Sequence, residues 1–216
     1  MYRANLVCGL LAAGACLTAL ATGHEWDQIS AADGITVYQK NLAGSDVISL
    51  RGEALIMATA VDIAAVMKDG KLASDWMPLV SSRHVLAPLS ATERIECTHI
   101  SLPWPVKDRY FINLAKIESL PNGVLHLSIH AVEKPDPAWL ESDKVLGEMH
   151  LSEFVLTPVN QGTATFMTME VHTDPQGMIP KFLVNLAQRS WPRDFFTGLN
   201  QELAKLGKLR SSPVAH

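Results

Sequence analysis

Cys97 and His99 stand two residues apart in the stretch 93–102, whose alternating polar and apolar residues read as a β-strand. Side chains two apart on a strand share a face. A thiol beside an imidazole is the arrangement of an activated cysteine nucleophile. The bland reading, a buried filler, is preferred because Cys is among the most buried residue types. His126 and His130 share the face of another strand but lie about 13 Å apart at about 3.3 Å per residue, too far to close on one zinc ion. His99, His150 and His172 could converge from separate strands, but no carboxylate pattern accompanies them, so no metal is expected. A Gly-x-Ser-x-Gly elbow, His-Glu-x-x-His, Cys-x-x-Cys and a phosphate-binding glycine loop are all missing. No catalytic residue and no cofactor are assigned on this basis.

The remaining chemistry is that of binding. Arg109 opens a predicted strand, and its guanidinium offers several fixed donors for a ligand hydroxyl or carboxylate, or for a salt bridge to Asp108. Met167, Met169 and Val171 share one face of the last predicted strand, with Phe166, Thr168, Glu170 and His172 on the other. Flexible methionines suit an irregular guest and equally fill an ordinary core. Residues 179–210 hold Lys181, Arg189, Arg193, Lys205, Lys208 and Arg210 against Asp194 and Glu202. That excess of cations could dock on anionic lipid or simply form a solvated helix face. Trp104, between Pro103 and Pro105, could anchor at the same interface or cap the core.

These residues need elements to hold them. The 216 residues are 48% hydrophobic and 19% charged, enough apolar surface to offset chain entropy in one packed domain. A formal charge of −4 offers no general attraction for nucleic acid. Strands are predicted near 34–38 and 47–56, followed by a helix from Thr59 to Lys68 and a second short helix containing Trp76. Further strands are predicted near 83–88, 93–102, 109–118, 123–132, 145–157 and 163–173. The only long helical segment runs from Met178 to Leu206, with Ile179, Phe182, Leu183, Leu186 and Ala187 in one stripe. Phe195, Phe196, Leu199, Leu203 and Leu206 form a second stripe, rotated by nearly half a turn. The phase changes at Trp191-Pro192, where proline predicts a kink or break. The fold class is α+β: a curved antiparallel sheet with the terminal helix across its concave face and space for a cavity between the layers.

At the N-terminus, Arg3 precedes an uncharged run from Leu6 to Leu20, and Ala19-Leu20-Ala21 fits the small-x-small cleavage pattern. Residues 1–21 are read as a signal peptide cut after Ala21, 22–210 as the domain and 211–216 as a flexible tail. Without the leader, Cys97 is the sole cysteine, so stability must come from the core rather than from an internal disulfide.

Four separated segments, Asp33-Gly34-Ile35-Thr36-Val37-Tyr38, Trp76, Leu102-Pro103-Trp104-Pro105-Val106-Lys107-Asp108-Arg109 and Asp174-Pro175-Gln176-Gly177-Met178-Ile179-Pro180-Lys181, together resemble a bacterial START domain. This is the lipid-transfer domain related to steroidogenic acute regulatory protein, and the likeness spans roughly Trp26 to Leu206. It implies a helix-grip fold with a tunnel for one lipid or other hydrophobic small molecule. Arg109, Met167, Met169, Val171, Met178, Phe182, Leu183 and Leu186 would then bind the ligand. Trp104, Lys181, Arg189 and Arg193 would form a gate or a transient membrane contact. Members of the family often carry an Arg-Asp pair where this chain has Arg109-Tyr110, with Asp108 on the other side. The bacterial flavour of the likeness and the leader place the protein in the periplasm, or else secreted. The wider helix-grip superfamily includes polyketide cyclases and aromatases, which leaves catalysis on a hydrophobic substrate as the alternative.

Overall fold

The computed structural model describes residues 26–210; the predicted leader 1–21 and the predicted tail 211–216 lie outside the described residues. The chain opens with the hairpin β1 (Asp27–Ala32) and β2 (Ile35–Lys40). Asp33 and Gly34 between them both take positive φ, +56° and +74°, the left-handed geometry that lets a two-residue turn match strand twist. The sequence did not announce β1, because this outer strand is largely exposed and carries no apolar alternation. β3 (Ser49–Ile56) pairs with β2. Helix α1 (Ala60–Lys68) begins where predicted: Thr59 Oγ1 accepts from the Asp62 amide at 3.1 Å and donates to the Asp62 carboxylate at 2.8 Å. Helix α2 (Ala73–Trp76) is the short helix containing Trp76.

There follow β4 (Val80–Pro88), β5 (Glu93–Ile100), β6 (Arg109–Ser119), β7 (Leu125–Ala131), β8 (Val145–Leu146), β9 (Glu148–Val159) and β10 (Ala164–Asp174). The single run predicted over 145–157 is divided at Gly147. A Cβ there would lie 2.3 Å from the Phe111 ring, and the two residues before it pair in parallel with β6. The sheet order is β1-β2-β3-β10-β9-β7-β6-β5-β4. Pairing of β10 with β3 joins the N-terminal hairpin to the later meander.

In place of one long helix the chain forms α3 (Lys181–Gln188) and α4 (Trp191–Lys205). Helix α3 starts three residues later than predicted, since Pro180 disfavours helical geometry at Ile179 before it. The interruption falls at Arg189 and Ser190, with Pro192 in the first turn of α4, where its missing N–H costs nothing. Phe195, Phe196, Leu199 and Leu203 of α4 are fully buried, each contributing about 1.5–3 kcal/mol. Phe195 sits at the centre of an aromatic cluster, its ring 5.1 Å from Trp76, 5.2 Å from Trp191 and 5.5 Å from Phe154. Register places Val37, Gly52, Met169, Phe154, Leu127 and Ile117 in one row across the concave face. Gly52 is required in that row: a Cβ would come within 2.8 Å of the Phe196 ring and 3.1 Å of Pro192.

This filling corrects one expectation. The sheet surface beneath α4 is occupied by the helix's own side chains, with Met167 and Met169 buried in the same core cluster. Open space lies beside α4, over the half of the concave face built from β4 to β7 and β9.

Candidate functional site

A cleft of about 230 Å³ opens between the α1–α2 segment and that half of the sheet. Its apolar wall comes from Met67 at the end of α1, Met77 after α2, Ile117 on β6, Leu127 and Ile129 on β7 and Phe154 on β9. Alternation along the strands explains the grouping, because every second residue of β6 and β7 faces the helices. Ala115, opposite Ile129, keeps the cleft open by being small.

One side of this apolar space is charged. Glu96 on β5 is 2% exposed and Arg83 on β4 is 7% exposed, and both line the cleft with Arg94. Arg94 Nε donates to Glu96 Oε2 at 2.8 Å, and its Nη2 donates to the Lys68 carbonyl at 3.2 Å. Arg83 Nη2 donates to the carbonyls of Met67 at 2.5 Å and Asp69 at 3.2 Å. Burial pushes the Arg83 guanidinium below its ordinary range, opposed by the charge of Glu96. Among the described residues, Arg83 Nε has no hydrogen-bond partner, nor has the buried Oδ1 of Asn113, which lies directly opposite Glu96 across the β5–β6 ladder. A buried donor and a buried acceptor of this kind are costly unless something meets them. The arrangement can hold an apolar body against Ile117, Ile129 and Phe154 and a polar end against Arg83, Arg94 and Glu96, with Asn113 beside Glu96.

None of the predicted ligand residues lines this cleft. Arg109 is buried, and its guanidinium is committed to backbone carbonyls: Nε to Pro175 at 3.1 Å, Nη2 to Gln176 at 3.0 Å, and Nη1 to Lys107. It ties the start of β6 to the Asp174-Pro175-Gln176-Gly177 turn, in place of the predicted ligand contact or a bridge to Asp108. Met167 and Met169 are core, and Val171 packs partly buried against that core. Met178, Phe182, Leu183 and Leu186 are exposed rather than turned into an interior, because the rotated stripe of α3 does not follow α4 onto the sheet. Trp104 is 92% exposed on its loop. The predicted membrane cations are engaged: Lys181 with Asp174 at 2.6 Å, Arg193 with Asp33, and Arg189 Nε with the Gln39 side chain at 3.1 Å. Alternation alone could have flagged Arg83, Glu96 and Asn113, since they stand mid-strand; their convergence depends on register.

The histidine expectations divide. The rings of His150 and His172 meet at 4.7 Å, and His172 Nε2 lies 3.0 Å from Ser45 Oγ. His99 does not join them; it lies with Cys97 on the convex face of β5, several strands away in the sheet. Burial, reinforced by nearby Glu141, pushes the Cys97 thiol up to about 11, which removes it as a nucleophile near neutral pH.

A curved antiparallel sheet gripping a C-terminal helix, with a partly apolar cleft between the layers, defines the helix-grip class of ligand-binding domain. The START domain family model matches residues 11–208, and the chain belongs to that family. An uncharacterized protein of Pseudomonas aeruginosa is 28% identical over 191 residues, covering 86% of this chain and 90% of its relative. The crystal structure of a STAR-related lipid transfer protein from Xanthomonas axonopodis is 28% identical, with a TM-score of 0.74, covering 83% of this chain and 98% of the other. Human StAR-related lipid transfer protein 5 shares the fold at 20% identity and a TM-score of 0.76, covering 84% and 88% of the two chains. A Streptomyces aromatase/cyclase shares it more distantly, at 12% identity and a TM-score of 0.51, covering 77% and 98%.

Proposed function

We propose that this protein is a non-catalytic carrier of one lipid or other hydrophobic molecule, acting in the periplasm after loss of its leader. The single observation that carries the reading is the cleft with one apolar wall and one buried polar side, in a chain whose family and Xanthomonas relative are concerned with lipid transfer. The driving force is removal of apolar surface from water, about 25 cal/mol per Å² before ordering costs. At about 230 Å³ the cleft is smaller than the 300–1,000 Å³ of common ligand sites, so a full-sized guest requires its walls to part.

Helix α3 is not a wall of the cleft, but it is lightly held and suited to a separate contact with a membrane. Only Val184 of its residues is buried, and the helix is held by polar hooks: Asn185 bonds Ile48 N–H and the Asp46 carbonyl, and Gln188 bonds the Thr173 carbonyl. Its exposed Phe182, Leu183 and Leu186, and Met178 just before it, would meet a membrane during exchange, as would exposed Trp104 on its own loop. Because Lys181 and Arg193 already have acidic partners, that contact rests on apolar residues more than on charge.

Native mass spectrometry of protein purified from its own host tests the proposal. One hydrophobic adduct per chain is expected, and it should disappear in Ala115→Phe, which fills the cleft, while the thermal transition is retained. An adduct unaffected by Ala115→Phe overturns the assignment of the cleft. The competing reading, turnover of a hydrophobic substrate by Glu96, predicts a product of altered mass rather than an unaltered guest.

A further inference from the structure

We infer that Cys97, His99 and Glu141 form a zinc(II) site on the convex face of the sheet, separate from the ligand cleft. One donor atom from each residue lies within 4.8 Å of the others. Cys97 and His99 project from the same face of β5, with Sγ 3.9 Å from His99 Nε2. Glu141 arrives from the segment between β7 and β8, where its amide donates to the Tyr110 hydroxyl at 3.0 Å and its Oε1 lies 2.6 Å from His99 Nε2. Thiolate, imidazole and carboxylate together are a donor set that suits zinc.

The surroundings hold the imidazole in the pose a ligand needs. The 2.6 Å contact between His99 Nε2 and the Glu141 carboxylate needs an Nε2–H, which a metal would replace; Ser82 Oγ, 2.9 Å from Nδ1, can then accept an Nδ1–H and fix the ring. The His99 ring is further confined between His84, at 5.6 Å, and Tyr110, at 6.3 Å. Glu141 Oε2 is bonded by Lys144, which leaves Oε1 for the shared centre. Tetrahedral zinc with bonds of about 2.0–2.3 Å sets its ligand atoms about 3.4–3.6 Å apart. The sulfur–nitrogen separation therefore needs to close by a few tenths of an ångström, and the carboxylate to swing back by about 0.8 Å.

A thiol–imidazole–carboxylate relay is a poorer account of the same atoms. Thiol and carboxylate face one nitrogen, so the carboxylate competes with the thiol instead of orienting the ring from its far side. Half-buried His99 and Glu141 leave a solvent-facing fourth position, and the bound ion would pin the 132–144 segment to β5.

The test uses the untagged protein, stripped of metal by a chelator and titrated with zinc(II) alone, then with cobalt(II) as a spectroscopic substitute. One zinc per chain is expected, with a sulfur-to-cobalt charge-transfer band that vanishes in Cys97→Ser. Affinity should fall at least tenfold in His99→Ala and in Glu141→Gln, and about tenfold in Ser82→Ala, which acts only through the ring. Absence of the cobalt–sulfur band, or equal zinc affinity in wild type and Glu141→Gln, overturns the site. Glu141→Gln preserves shape on a partly exposed segment, so the question is answered even if Cys97→Ser does not fold.

Discussion

Replacing Glu96 by leucine tests whether the charged side of the cleft is held together by its own electrostatics. The Glu96 side chain is 3% exposed and is the buried carboxylate beside Arg83 and Arg94, the other lining carboxylate, Glu93, being 35% exposed and paired with Lys116. Leucine would leave Arg83, itself 7% exposed, with two carbonyl bonds and only the weaker compensation of Asp69, and would deprive Arg94 Nε of its 2.8 Å acceptor. Breaking a buried ion pair from one side costs about 3–5 kcal/mol. The half-exposed position of Arg94 and the carbonyls on Arg83 place this case near the lower end, about 3 kcal/mol. For a domain of this size that is a fall in Tm of about 6–12 °C. Urea unfolding with an unchanged m-value measures it directly. Glu96→Gln, which keeps an acceptor for Arg94, should lose about half as much, and Arg83→Leu combined with Glu96→Leu should recover part of the loss. If Glu96→Leu alone is as stable as wild type and retains the same adduct, the reasoning about this cluster is refuted.

Gly52→Val should destabilise by about 1–3 kcal/mol through its clash with Phe196 and Pro192, read as a lower urea midpoint. Arg109→Ala removes three bonds from the carbonyls of Lys107, Pro175 and Gln176, with an expected loss of about 2–3 kcal/mol that Arg109→Lys does not restore, since an ammonium cannot span the fork. Burial first, and His150 second, hold His172 below the ordinary histidine pKa, so the unfolded chain binds the proton more readily. The stability from this residue is therefore complete above about pH 6.5 and declines as pH falls below it. That acid-side slope should flatten in His172→Gln when unfolding is measured from pH 7.5 to 5.

What the amino-acid order determined by itself was local. Thr59 and Asp62 cap α1, the alternating runs make the strands from β4 to β10, Pro192 breaks the last helix, and four spaced segments resemble the family the chain belongs to. Each of these depends on neighbours within a few residues, where backbone sterics and periodicity act. Tertiary structure decided which apolar surface was left uncovered. Phe195 and Phe196 consume the space over Met167 and Met169, whereas small Ala115 leaves room beside them. The α3 stripe was legible as apolar, but its exposure follows from the angle at which the chain restarts after Ser190. Arg83, Glu96 and Asn113 come together only through the registers of three strands, and Cys97, His99 and Glu141 only when a loop folds back onto β5. Volume filling and cross-strand register are sums over distant residues, so the tertiary fold had to decide where this protein keeps its cleft.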